Sequence, residues 1–280
     1  MQRIFHTPEG VRDIYSQECS RKQKLQEKLH RVFHQYGFED IETPTFEYFE
    51  VFSKEVGTIP SRELYKFFDR EGNTLVLRPD FTPSVSRACA TYFNPEKEVV
   101  SLCYTGNTFI NNSSFRGRLK ETTQMGVERM GDDSPEADAE ILAMTVECLL
   151  ATGLTEFQVS VGQVDYYKAI FAQTGMSQEE EEELRELISQ KNYFGVEELV
   201  KNKNMDKSLA RVLSQLPQMF GSTEVLEKAK SLTDNPQALK AVARLEEIYE
   251  LLKVYGYEKY VTFDFAMLSK YHYYTGIIFQ

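Results

Sequence analysis

Two histidines, His30 and His34, stand four residues apart on a stretch whose apolar residues recur at helical spacing, which sets both imidazoles on one face. That pattern can present two ligands to a metal, but no His-Glu-x-x-His run and no third ligand accompanies them along the chain. The four cysteines, Cys19, Cys89, Cys103 and Cys148, are dispersed and form no Cys-x-x-Cys pair, as suits a reducing compartment. The expectation is an amphipathic surface pair of histidines, with no metal site and no disulfide framework. Carboxylates at Asp80 and Glu128, hydroxyls at Thr82, Tyr273 and Tyr274, and the amide of Gln124 are types that accept from an ammonium or meet an imidazole. By type alone they read as ordinary solvated or ion-paired carboxylates and core aromatics. Arg116 and Arg118 lie in a polar stretch between two strand-like segments, where a guanidinium either contacts a phosphate or keeps a loop soluble.

The elements that must position these residues are legible in the periodicity. Ser16 to Tyr36 has Leu25, Leu29, Val32 and Phe33 at helical spacing, and Gly37 ends it. A strand-like stretch follows from Phe38 to Pro44. Tyr65 to Leu77 predicts a hairpin, with the turn at Glu71-Gly72-Asn73. A helix is expected from Ser84 to Tyr92, then two strands bracketing the polar loop, then helices and strands at Glu136–Thr152 and Phe157–Val161. From about Asp165 to about Tyr255 the pattern is helical throughout, with expected helices at Asn192–Val200, Asp206–Gln215, Ser222–Lys230 and Pro236–Val254. The five glutamates Glu179 to Glu183 suit a solvated face near a helix N-terminus. Strand signals resume at Tyr260–Phe265 and Tyr273–Phe279. The expected organisation is therefore a core of residues 1–164 and 256–280 interrupted by a helical insertion at 165–255.

At 280 residues, with 41% hydrophobic and 27% charged side chains, the composition is that of a globular domain with a sizeable core. A formal net charge of −11 argues against nucleic acid as the main partner, since such binders carry a basic face. The first residues form no apolar signal segment, and no run of about 18 apolar residues occurs, so a cytoplasmic protein with no membrane partner is expected.

Several of these segments, taken in order, carry a resemblance. Tyr104 to Glu128, ending in Gln124-Met125-Gly126-Val127-Glu128, resembles motif 2 of the histidyl-tRNA synthetase family. Pro8 to Asp13 is similar to that family's Gly-x-x-Asp segment. Leu77-Arg78-Pro79-Asp80-Phe81-Thr82 is similar to its Leu-Arg-Pro-Glu-Gly-Thr, and Tyr273 to Phe279 matches its Tyr-Tyr-Thr-Gly-x-x-Phe strand. The helix, glycine, strand and proline between Ser16 and Pro44 resemble motif 1, the homodimer interface of class II synthetases. The resemblance implies an α+β class II synthetase-like fold, an antiparallel sheet flanked by helices, with no anticodon-binding domain in these residues. It also implies a histidine-like ligand pocket built from Asp80, Thr82, Gln124, Glu128, Tyr273 and Tyr274, with Arg116 and Arg118 as possible phosphate contacts.

The departures matter as much as the matches. Where the synthetases carry an Arg-x-Glu triplet that clamps the ATP α-phosphate and the amino acid carboxylate, this chain has Ile110, Asn111 and Asn112. An apolar side chain cannot supply forked, charge-assisted hydrogen bonds. The later Arg-Gly-Leu-Asp run appears as Ser269 to His272, with Lys270 one position off and facing the other side of a strand. No glycine-rich motif 3 occurs up to Gln280. This combination resembles the family of ATP phosphoribosyltransferase regulatory subunits, synthetase paralogues of histidine biosynthesis. The resemblance implies a non-catalytic subunit with no cofactor. It would assemble with itself and with the short-form catalytic subunit, activate it, and let histidine inhibit the complex. The alternatives are a fragment of an active histidyl-tRNA synthetase and a tRNA- or amino-acid-sensing paralogue.

Overall fold

The computed structural model describes residues 5–53, 59–112, 117–203, 205–268 and 274–280. Tyr273, Arg116 and Ser269 to His272 lie outside the described residues. The chain divides into two compact units, Met1–Asp132 with Ala151–Gly153, and Asp133–Leu150 with Leu154–Gln280.

The first unit opens with helix α1 (Ser16–Gln35), which buries Val32 and Phe33 and stops at Gly37, whose φ of +78° reverses the chain without a Cβ penalty. Strand β1 (Glu39–Asp40) follows directly. Then come β2 (Phe46–Tyr48), the single turn α2 (Glu50–Ser53), β3 (Lys66–Phe68), β4 (Thr74–Leu77), α3 (Thr82–Tyr92), β5 (Val100–Phe109) and β6 (Glu121–Met130). Strands β2, β4 and β3 form an antiparallel sheet on the expected hairpin, with Phe52, Leu64 and Val76 buried together. β5 and β6 pair antiparallel over their full length, from Val100 opposite Met130 to Phe109 opposite Glu121. β1 adds to β5 in parallel, Asp40 opposite Cys103. Behind this sheet Phe81, Val85 and Cys89 of the α3 segment pack on Val100, Leu102 and Tyr104. α3 starts two residues before the expected Ser84 because Pro83 takes the first turn, where its missing N–H has no intrahelical partner to lose.

The second unit contains α4 (Pro135–Thr152), β7 (Val159–Gln163), α5 (Val164–Phe171), α6 (Gln178–Ser189), α7 (Tyr193–Asn202), α8 (Lys207–Gln215), β8 (Phe220–Gly221), α9 (Glu224–Ser231), α10 (Pro236–Tyr255), β9 (Val261–Asp264) and β10 (Ile277–Phe279). The glutamate run occupies α6 behind a capping box between Ser177 and Glu180, which satisfies orphan N–H groups at both residues. Asn235 caps α10 by accepting from Gln237 and Ala238 N–H, and Gly256 ends it in the left-handed region. The sheet order is β10-β7-β9-β8, with β7 and β9 parallel and the other pairs antiparallel. Periodicity gave no sign of β8, since a two-residue strand carries no period; it adds antiparallel to β9, Phe220 opposite Asp264. No helix among the described residues is long and apolar enough to cross a membrane.

Candidate functional site

The first unit brings four of the expected pocket residues together. Asp80 and Thr82 stand at the start of α3, and Gln124 and Glu128 lie on β6 with an even spacing that turns both to the same face of the strand. Thr82 Oγ1 donates to Glu128 Oε1 at 2.6 Å, and Gln124 Nε2 reaches Asp80 Oδ1 at 3.5 Å. Asp80 Oδ1 also accepts from the Phe81 backbone N–H at 2.7 Å, which fixes its rotamer at the mouth of the helix. Among the described residues no basic side chain pairs with Asp80 or Glu128.

Tyr104 completes this set, although the sequence reading did not single it out. It is 4% exposed, and its hydroxyl lies 3.5 Å from Glu128 Oε1. The ring stacks on Phe81, with centroids 4.3 Å apart and planes 8° from parallel, and the Arg78 guanidinium covers the other side of Phe81 at 4.0 Å. Arg78 is 7% exposed and spends its donors on backbone carbonyls: Nε on Asn107 at 2.9 Å, Nη1 on Thr43 at 2.8 Å. Burial lowers its pKa from the usual arginine value. These bonds tie the α3 entry to β5 and to the segment before β2. The signal that could have found Tyr104 is the glycine in the Gln-Met-Gly-Val-Glu run, since Gly126 is its register partner.

The electrostatics follow from this packing. Burial pushes the Glu128 carboxyl above the usual range; Asp80 nearby adds to the rise, while hydrogen bonds from Thr82 and Tyr104 oppose it. Burial pushes the Tyr104 phenol up as well, with Glu128 and Asp80 contributing, so it stays a neutral donor. Two carboxylates with hydroxyl and amide partners, and no cation of their own, suit an ammonium or imidazolium guest.

The surroundings of motif 2 are as informative. After β5 the chain continues through Ile110, whose N–H donates to Lys120 O at 2.9 Å, and Asn111, whose N–H donates to Glu63 O at 2.8 Å. Asn112 Nδ2 reaches Leu119 O at 3.3 Å. Arg118 is exposed and has no partner among the described residues. The segment before α1 runs beside this region: the Lys120 N–H donates to Gly10 O at 2.7 Å, and Arg12, Asp13, Lys22, Asn107 and Thr123 line a hollow of about 440 Å³. Tyr274 belongs to the second unit, where its carbonyl accepts from Lys168 Nζ. There the Gly276 N–H donates to Asp165 Oδ2 at 3.0 Å, and Thr275 and Gly276 border a cavity of about 650 Å³.

The expected lone histidine pair has company. His30 and His34 meet Asp40 of β1, His30 Nδ1 at 3.2 Å from Oδ1 and His34 Nε2 at 3.0 Å from Oδ2, and Cys103 Sγ reaches the same carboxylate at 3.4 Å. The third and fourth potential ligands that the sequence did not place beside the histidines are therefore brought there by the fold.

A family model described as histidyl-tRNA synthetase matches residues 10–280. A curated relative from Acetivibrio thermocellus, named ATP phosphoribosyltransferase regulatory subunit, is 40% identical over 276 residues, covering 99% of this chain and 66% of the relative. The chain thus spans just under two thirds of that protein. The crystal structure of an ATP phosphoribosyltransferase regulatory subunit/histidyl-tRNA synthetase from Bacillus halodurans aligns with a TM-score of 0.89 at 32% identity, over 99% of this chain and 72% of that one. A histidyl-tRNA synthetase from Nostoc aligns with a TM-score of 0.81 at 21% identity, over 99% and 64% of the two chains, a likeness of fold alone.

Proposed function

The chain belongs to the histidyl-tRNA synthetase family, and from that premise we propose that it acts as a non-catalytic regulatory subunit of ATP phosphoribosyltransferase in histidine biosynthesis. The name carried by its relatives supports this reading. The observation that supports it best is a contrast between two places in the first unit. Gln124 bonds Asp80, and Thr82 and Tyr104 both meet Glu128, with no basic side chain paired to either carboxylate among the described residues. At the end of β5, where adenylation needs a forked cation against carboxylate and phosphate, stand Ile110, Asn111 and Asn112.

In this reading the pocket takes the α-ammonium and imidazole of histidine and does not activate its carboxylate. Condensation of ATP with phosphoribosyl pyrophosphate takes place on a separate short-form catalytic subunit. This chain raises the activity of that subunit by assembling with it, and histidine reverses the effect. The coupling is reciprocal: if histidine disfavours the active assembly, the active assembly must disfavour histidine by the same factor. Homodimerisation through the α1–β1 region belongs to the same proposal.

Calorimetry with histidine tests the pocket. The chain is expected to bind histidine, and Asp80→Ala with Glu128→Ala together to weaken that binding by about 10-fold or more, since each removes a charge-assisted contact. Unchanged affinity in the double variant places the histidine site elsewhere. Histidine-dependent pyrophosphate exchange by the purified chain would instead establish adenylation and overturn the non-catalytic reading.

A further inference from the structure

We infer that His30, His34, Asp40 and Cys103 form a binding site for a divalent transition metal of the Zn²⁺ type, joining α1 to the β1–β5 pair. One donor atom from each residue falls within 4.8 Å of every other. Bonds of about 2.0–2.3 Å in tetrahedral geometry place ligand atoms about 3.3–3.8 Å apart. Two separations to Asp40 Oδ1, 3.2 Å from His30 Nδ1 and 3.4 Å from Cys103 Sγ, already lie close to that spacing, and His34 Nε2 stands 3.0 Å from the other carboxylate oxygen.

The convergence has a structural origin. His30 and His34 are one turn apart on α1, so their rings lie side by side, with centroids 5.4 Å apart. Gly37 turns the chain straight back, which returns Asp40 beneath that turn only six residues after His34. Asp40 and Cys103 are register partners in the parallel pair, and side chains directly opposite each other share a face of the sheet. Four donors from three elements thus meet at one point, although Asp40 and Cys103 are 63 residues apart.

The donor set selects the metal class. Two imidazoles, a carboxylate and a sulfur favour zinc or cobalt(II) over the all-oxygen shells of magnesium or calcium. A second contact orients the first ring: His30 Nε2 lies 2.8 Å from Thr105 Oγ1, two residues along β5 from Cys103. With the proton on Nε2 donated to Thr105, the Nδ1 lone pair faces the cluster, the outer-sphere arrangement that metal-bound histidines use. Coordination of the Cys103 sulfur would release the thiol proton to solvent as the metal–sulfur bond forms. A surface hollow lined by Glu27, His30, Arg31, His34 and Gln35 borders the two imidazoles.

The test is a titration of the untagged, chelator-treated full chain with Zn²⁺ and, separately, Co²⁺. One equivalent is expected to bind, with Co²⁺ giving the visible bands of a tetrahedral complex together with a sulfur-to-metal charge-transfer band. Thr105→Val is expected to weaken affinity about 10–100-fold while leaving the spectrum tetrahedral. His34→Ala, at an exposed position where folding is not at issue, is expected to abolish stoichiometric binding, and Cys103→Ala to remove the charge-transfer band. Zn²⁺ affinity equal in wild type and His34→Ala would overturn the site. Tetrahedral bands without charge transfer in the wild type would overturn the assignment of Cys103 as a ligand.

Discussion

Tyr104 and Gly126 face each other across β5 and β6, and a Cβ placed on Gly126 would lie 2.4 Å from the Tyr104 hydroxyl oxygen and 2.6 Å from Cζ. The glycine within the Gln-Met-Gly-Val-Glu run is thus a packing requirement of the site. It leaves room for the phenol that meets Glu128, and the phenol in turn sits on the Phe81–Arg78 stack. Gly106 on the neighbouring strand serves the layer below, where a Cβ would fall 2.5 Å from Arg78 Nη2 and 2.7 Å from Phe81 Cζ.

Gly126→Ala is expected to destabilise the protein by about 1–3 kcal/mol, the usual cost of overpacking a filled core. In a Tyr104→Ala background the same substitution should cost much less, because the clashing ring is gone. Chemical denaturation of the four proteins of this cycle measures the coupling. An equal cost in both backgrounds would show that the glycine serves some other constraint.

Thr82 Oγ1 donates to the half-buried Glu128 carboxylate at 2.6 Å, linking the first turn of α3 to β6. Thr82→Val keeps the shape and removes the donor. The expected loss is about 1–3 kcal/mol of stability, since a buried acceptor loses a charge-assisted partner. Denaturant midpoints at neutral pH provide the check, and an unchanged midpoint would mean that water replaces the hydroxyl at no cost.

Glu128 also predicts a pH dependence with a definite sign. Its folded pKa is raised above the unfolded value of about 4.3 by burial first and by Asp80 second, with Thr82 and Tyr104 only partly offsetting this. Between those two values the folded state holds more protons than the unfolded state, so this group's contribution to stability falls as pH rises. Glu128→Gln removes that titration. The melting temperature of the variant relative to wild type should therefore climb as pH rises above about 4, in the absence of ligand. A flat or falling difference would mean that Glu128 is better solvated than its packing indicates.

Much of this was legible in the sequence because its signals are local. The α1 helix with its Gly37 stop, the β3–β4 hairpin turn, the β5–β6 pair and the Pro236 start of α10 all rest on period, glycine and proline. Asp80, Thr82, Gln124 and Glu128 were marked by resemblance, and the fold clusters them. Tyr104 was not marked, because an aromatic inside a strand reads as core until its opposite residue is known. Asp40 and Cys103 escaped notice beside His30 and His34 because their proximity depends on a parallel strand pair, which no local pattern encodes.

The central claim concerns another subunit's chemistry, so the most direct measurement is made on that chemistry. Phosphoribosyl-ATP formation by a short-form catalytic subunit should be followed with and without this chain, each with and without histidine. The account predicts that adding the chain raises the rate, that histidine removes the increase, and that the Asp80→Ala, Glu128→Ala variant keeps the activation while losing sensitivity to histidine. A rate that the chain leaves unchanged, with a catalytic subunit shown to be competent with another regulatory subunit, would contradict it.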